Sequence, residues 1–323
     1  MSHDVSPIDA LAAHAEQRKD RRAFFKAAVG AAAVGAGAFL VSNPAQAQTL
    51  TDADILNFAL NLEYLEANFY YYAVYGRGIP ATSITGVGTP VAATGGKQVI
   101  FQDSLLAEMA REIAEDELAH VNFLRTALGS AAVAQPAIDI GVSATSAFSV
   151  AAQAATLVPA GGVFDPYASD LAFLYGAFLF EDVGVTAYKG ASSLLTNKTY
   201  LDAAAGILAA EAYHASMIRT TIDQLGGNVG LKASTIRGDT ELVSTARDSL
   251  DGTSDLDQGV GGTNIGVLAT GVSNIVPTDS NAIAFSRTPQ QVLNIVYLNR
   301  ASVTSGGFFP AGVNGSFTAS GAN

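Results

Sequence analysis

The chain has 323 residues, of which 49% are hydrophobic and 14% charged, with a formal net charge of −12. That supplies apolar material for one large domain or two smaller ones. The acidic balance has the wrong sign for phosphate recognition, which argues against a nucleic-acid partner; the absence of cysteine excludes disulfides, thiolate metal sites and cysteine nucleophiles.

Residues 1–47 stand apart from the rest. The stretch "DRRAFFKAAVGAAAVGAGAFLVSNPAQAQ" holds paired arginines, Arg21 and Arg22, then an Ala/Gly/Val run and the A-x-A signal Ala45-Gln46-Ala47. It resembles a twin-arginine export signal. The apolar run from Ala27 to Val41 is short for the roughly 20 residues that span a bilayer. The expectation is a cleaved signal peptide, no stable membrane anchor afterwards, and a periplasmic or extracellular protein beginning at residue 48. The twin-arginine resemblance implies export in the folded state, with any cofactor already loaded.

Helix A is predicted over 52–75, capped by Thr51 or Asp52 and stopped by Gly76. A Gly/Pro/Thr-rich loop leads to helix B over about 99–128, closed by Gly129. In "SLLAEMAREIAEDELAHVNFLRTAL" the apolar residues recur near the helical period with no Gly or Pro. The segment 129–166 is long for a connection between neighbouring helices and reads as a crossover, with "SAFSVAAQAATL" as a short helix within it. Helix C is expected over 168–194, and helix D over 199–225, ended by Gly226-Gly227. Residues 48–228 therefore read as an all-α four-helix bundle with a long B–C crossover. Residues 229–323 turn rich in Gly, Ser, Thr, Asn and Asp, as an irregular C-terminal extension. One short helix is legible there, with Thr288 as cap, Pro289 in the first turn and Gln291 closing a capping box. "GGFFPAGVNG" reads as an ordered loop docked by Phe308 and Phe309. The extension is expected to pack on the bundle or on a partner subunit of a homo-oligomer, and its size argues against a closely packed storage cage.

The chain repeats itself. Setting "LNFALNLEYLEANFY" (56–70) above "LYGAFLFEDVGVTAY" (174–188) matches Glu63 with Glu181 and Tyr70 with Tyr188. Setting "IAEDELAHVNFLRTAL" (113–128) above "ILAAEAYHASMIRTTI" (207–222) matches Glu117 with Glu211, His120 with His214, and Arg125-Thr126 with Arg219-Thr220. Each half supplies a glutamate with a tyrosine two turns later, then a Glu-x-x-His. Beyond the signal only two histidines remain, His120 and His214, and both follow a glutamate at −3. With 9 glutamates in residues 48–323, independent placement would give both matches roughly once in a thousand. Two structural histidines on helices are the bland alternative, and the pairing argues against it.

Positions three apart share a helical face, so each Glu-x-x-His can aim both groups at one object. Two close divalent ions carry four positive charges and call for several anionic ligands, with hard oxygens suiting iron and manganese. A four-helix bundle meets this with one Glu from each of two helices and a Glu-x-x-His from each of the others. The predicted metal ligands are Glu63, Glu117, His120, Glu181, Glu211 and His214. Glu66, one turn beyond Glu63 and matched by Gly184 in the repeat, is an alternative or additional carboxylate. Glu112, Glu115, Asp116 and Asp182 read as solvent-facing or as supports for the ligands. Tyr70 and Tyr188 are candidate catalytic phenols, redox-active or hydrogen-bonding, with core packing as the alternative.

This constellation resembles the ferritin-like di-iron carboxylate superfamily. The stretches "LNFALNLEYLEANFYYYA", "AFSRTPQQVLNIVYLN" and "GGFFPAGVNG" are more narrowly similar to exported ferritin-like proteins related to plant desiccation-related proteins. The resemblance implies a ferritin-like bundle, two iron or manganese ions and a role in stress tolerance. The expected activity is a dinuclear oxidoreductase acting on oxygen or peroxide as peroxidase, ferroxidase or catalase. The alternative is a non-enzymatic protective or interaction protein stapled by its metal.

Overall fold

The computed structural model describes residues 50–228, 233–261 and 273–323, and residues 50–323 form one compact unit. The predicted export signal, residues 1–47, lies outside the described residues. Seven α-helices and no strand occur among the described residues. They are α1 (Asp52–Tyr75), α2 (Ser104–Leu128), α3 (Ala147–Ala154), α4 (Asp170–Ser192), α5 (Lys198–Asn228), α6 (Ala233–Asp251) and α7 (Pro289–Val296). Predicted helices A to D are α1, α2, α4 and α5.

Helix α1 begins with a capping box in which Thr51 and Asp54 satisfy each other's backbone donors, and ends at Gly76, whose φ of +67° suits a residue without Cβ. Helix α2 starts five residues later than the sequence suggests. The Asp103 carboxylate accepts from the amides of Leu105 and Leu106, fixing the first turn there, while the amide of Val99, which is not helical, donates to the Ala73 carbonyl of α1. Helix α4 starts at Asp170 on a Ser169 cap. Helix α5 runs through Gly226 and Gly227 to Asn228, because glycine weakens a helix by only about 1 kcal/mol and does not by itself end one.

Helices α1 and α4 are apolar around most of their circumference and form the centre of the bundle. Each pairs closely with its successor, α1 with α2 and α4 with α5, as the internal repeat requires. Helix α4 is long and apolar enough to cross a membrane by length and composition, yet 78% of its most apolar stretch is buried inside the fold. Asp52 accepts from the amides of Thr196 and Asn197, tying the start of α1 to the segment after α4. Phe69 of α1 packs against Phe148, Tyr167, Phe173 and Phe180, so one aromatic cluster joins α1, the crossover and α4.

Among its described residues the extension holds two helices, where the sequence suggests one. Helix α6 escapes a hydrophobic-pattern reading because its inward face carries Thr240, Ser244, Arg247 and Asp251 beside Val243. Those positions recur at the helical period, but the buried groups are mostly polar. Arg219, Arg247 and Arg287 are almost completely buried and alternate with carboxylates. Arg219 Nη1 lies 2.8 Å from Asp182 Oδ2, and Arg247 Nη2 lies 3.1 Å from the same oxygen. Arg247 Nε reaches Asp257 at 2.7 Å, and Arg287 reaches Asp257 at 2.9 Å and Asp251 at 2.5 Å. Asp182 is thus neither solvent-facing nor a support for a histidine; it binds the extension to α4. Helix α7 carries its capping box through Thr288 and Gln291. Phe308 and Phe309 are buried, Phe308 against Phe148 and Phe180.

Candidate metal centre

Glu63 from α1, Glu117 and His120 from α2, Glu181 from α4, and Glu211 and His214 from α5 meet inside the bundle. They divide into two overlapping groups. Glu63, Glu117, His120 and Glu211 form one; Glu117, Glu181, Glu211 and His214 form the other, each with a set of potential ligand atoms lying within 4.8 Å of one another. Glu63 with His120 and Glu181 with His214 belong to one group each, while Glu117 and Glu211 belong to both. His120 Nδ1 lies 3.3 Å from Glu63 Oε2, 3.8 Å from Glu117 Oε2 and 3.7 Å from Glu211 Oε1. His214 Nδ1 lies 3.1 Å from Glu117 Oε1 and 3.6 Å from Glu181 Oε2.

The two tyrosines close the arrangement crosswise. The Tyr70 hydroxyl donates to Glu181 Oε1, and the Tyr188 hydroxyl donates to Glu63 Oε1. Each phenol occupies one oxygen of a carboxylate from the other half of the repeat, and Oε2 is the oxygen near the histidine. His214 Nε2 lies 3.2 Å from Asp116 Oδ2, an arrangement that directs Nδ1 inward. The repeat places Ala210 opposite Asp116, so sequence symmetry gives no sign of this support. Glu112 and Glu115 lie on the exposed side of α2, with Glu115 accepting from Tyr75.

Glu66 is also buried in the carboxylate cluster, and Gly184 is its neighbour as well as its repeat partner. A Cβ at position 184 would stand 2.3 Å from Glu211 Oε2 and 3.3 Å from Glu66 Oε1. Glycine is needed here for close approach of carboxylates, and a second glutamate in the symmetric position would not fit.

Electrostatics show how costly this cluster is as bare protein. Burial raises Glu63 to about 7 and Glu181 to about 8, against the opposing pull of His120 and His214 respectively. Burial and then the neighbouring carboxylates push Glu66 and Glu211 well above the usual range. Burial opposes ionisation of Glu117 too, but the two histidines beside it outweigh burial and bring Glu117 to about 2. Burial would lower the histidines, yet Glu63 and Glu117 hold His120 up at about 11, and Glu181 and Glu117 hold His214 at about 10.

Within this buried cluster, Oε2 of Glu63 and Glu181, both oxygens of Glu117 and Glu211, and Nδ1 of both histidines lack a hydrogen-bond partner. Buried polar atoms are normally satisfied. These orphaned atoms, oxygens with one imidazole nitrogen per group, are compatible with binding of hard or borderline metal cations.

An all-helical bundle with a buried Glu/His cluster compatible with metal binding defines the class. Residues 51–224 match the Ferritin-like domain, and the chain belongs to that family. Its relatives include the desiccation-related protein PCC13-62 of Craterostigma plantagineum, 30% identical over 250 residues covering 75% of this chain and 76% of the relative. A second is the ferritin-like catalase Nec2 of Nesocodon mauritianus, 27% identical over 268 residues covering 82% and 84%.

Proposed function

We propose that this is an exported ferritin-like protein whose buried cluster holds two iron or manganese ions and turns over oxygen or peroxide in stress protection. The observation that carries the reading is the pair of overlapping ligand groups, each with its own histidine and carboxylate and with Glu117 and Glu211 in common. Glu63 and His120 would hold one ion, Glu181 and His214 the other, and Glu117 and Glu211 would serve both. When bound, metals of variable valence would supply the electrons exchanged with the oxidant.

The chain's own work is to hold and orient. Tyr70 and Tyr188 fix Oε1 of Glu181 and Glu63, leaving Oε2 of each free to bind. Asp116 accepts at Nε2 of His214, so the imidazole can stay neutral at Nδ1 with its proton on Nε2. The surrounding core keeps bulk water away from five carboxylates that would otherwise be solvated. Peroxide is favoured as oxidant by the relative named as a ferritin-like catalase, and the stress role by the relative named as desiccation-related.

The test is metal analysis of protein purified from its own host, followed by steady-state turnover of hydrogen peroxide and of ferrous ion. About two redox-active ions per chain with turnover would support the reading. Metal that raises the melting temperature of an inert protein would favour a structural staple. Export is tested by replacing Arg21 and Arg22 with lysine. The precursor should stay in the cytoplasm with its metal bound, and normal export would remove the twin-arginine reading.

A further inference from the structure

The repeat makes the centre nearly symmetric, and the Glu66–Gly184 pair breaks that symmetry on one side. Glu66 also lines a cavity that continues away from the carboxylates, walled by Leu62 of α1, Val183 and Gly184 of α4, Val296 of α7, and Phe308. Apart from Glu66, its side-chain lining is apolar. Its volume is about 20 Å³, more than the ~10–15 Å³ one water needs and far less than an organic substrate occupies. Gly184 borders both spaces: the position its missing Cβ would take lies against Glu211 Oε2 and Glu66 Oε1. On another side, Glu63 and Glu181 are already engaged by Tyr188 and Tyr70.

We propose that this cavity is the ligand chamber of the centre, sized for an oxidant of two heavy atoms, dioxygen or hydrogen peroxide. Gly184 keeps it open toward the carboxylates, and Glu66 is the polar group on its wall. Glu66 offers the ligand a hydrogen-bond partner in an otherwise apolar space. This rests on the oxidant reading above and adds a size limit: alkyl hydroperoxides are excluded. The extension takes part, because Val296 and Phe308 complete the wall.

The experiment alters the far wall, away from the ligand helices. Val296→Ile adds a methylene to the chamber, and Val296→Ala enlarges it. Two readouts are compared at measured metal content. The first uses the metal-free protein, methyl-labelled, under dissolved dioxygen, whose paramagnetism speeds relaxation of nearby methyls. Leu62, Val183 and Ile295 methyls should respond more than those of the core residues Leu60 and Leu293, and Val296→Ile should reduce that excess. The second is turnover by the metal-loaded protein. Val296→Ile should lose about tenfold or more with hydrogen peroxide, since small misplacements near a reacting centre are costly. Val296→Ala should gain activity toward tert-butyl hydroperoxide. No excess dioxygen effect at the chamber methyls overturns the proposal, as does full hydrogen peroxide turnover by Val296→Ile. If the loaded wild type is inert to every oxidant, the oxidant reading fails, and the relaxation experiment still decides whether the chamber admits a two-atom ligand.

Discussion

The Tyr188 hydroxyl donates to the carboxylate of Glu63, a residue 125 positions earlier in the chain, and Tyr70 makes the mirror bond to Glu181. The two central helices therefore exchange one hydrogen bond at each end of the carboxylate cluster. Tyr188→Phe and Tyr70→Phe should each loosen metal by about 10–100-fold, the usual effect of losing a group that orients a ligand. Competition titration against a chelator of known affinity measures this. Unchanged affinity in both variants would reduce the phenols to packing.

His120→Ala and His214→Ala each remove one imidazole from a different ligand group. Each should bind less metal and lose nearly all turnover, and the double variant should be little worse in turnover, because residues acting as a unit are not additive. Melting temperature should instead fall with occupancy and fall further in the double variant. Metal per chain, turnover and melting temperature for the four proteins check this. Unchanged metal content in the double variant would show that the Glu-x-x-His pairs are not the ligands.

The metal-free protein should lose stability as pH rises. Glu63 and Glu181 are raised from 4.5 to about 7 and 8, so their protonated forms favour the fold. That contribution is full below pH 4.5 and lost as pH climbs through 7 and 8. His120 and His214, raised from 6.5 to about 11 and 10, act the same way at higher pH, full below 6.5 and lost through 10 and 11. Glu117, lowered to about 2, contributes above pH 4.5 and loses its contribution as pH falls through 2. The chelated protein should therefore melt progressively lower between pH 5 and pH 9, to the ends of a range set by those groups. Metal should flatten the decline, because it replaces the displaced protons. A chelated protein that gains stability across this range would contradict the assignment.

What the sequence disclosed follows from where chemistry meets periodicity. The boundaries of α1 and the capping box of α7 were legible because their caps are local. The convergence of Glu63, Glu117, His120, Glu181, Glu211 and His214 was legible because a duplicated pattern shows which Glu and His share a face. Three things were not. Helix α6 buries arginine, aspartate and threonine on its inner face, so no apolar stripe marks it. The role of Asp182 depends on Arg219 and Arg247, which are distant in sequence. Asp116 has no counterpart in the repeat, and only the packing of α2 against α5 reveals its contact with His214.

The buried ionic cluster should be far more costly to break than a surface pair. Arg247→Met removes the link between Asp182 and Asp257 and leaves buried carboxylates short of a partner, an effect of about 3–5 kcal/mol. Lys97→Met breaks an exposed pair with Asp165 and should cost about 1 kcal/mol or less. Denaturant unfolding of the two variants gives the comparison. Equal effects would mean that the arginines only fill space.

Because Arg287 closes the cluster that begins at Asp182, the order of synthesis matters to this fold. All six predicted ligands have left the ribosome well before Arg287 does, and Asp182 and Arg219 already join α4 to α5; Arg287 adds the last link, tying Asp251 and Asp257 to Thr186 of α4. Contacts so far apart in sequence form late and slowly. The nascent chain thus carries every predicted ligand on a scaffold that still lacks the last link of its buried ionic cluster. A stop codon placed just ahead of Arg287 would spare every predicted ligand and still leave Asp251 without its arginine.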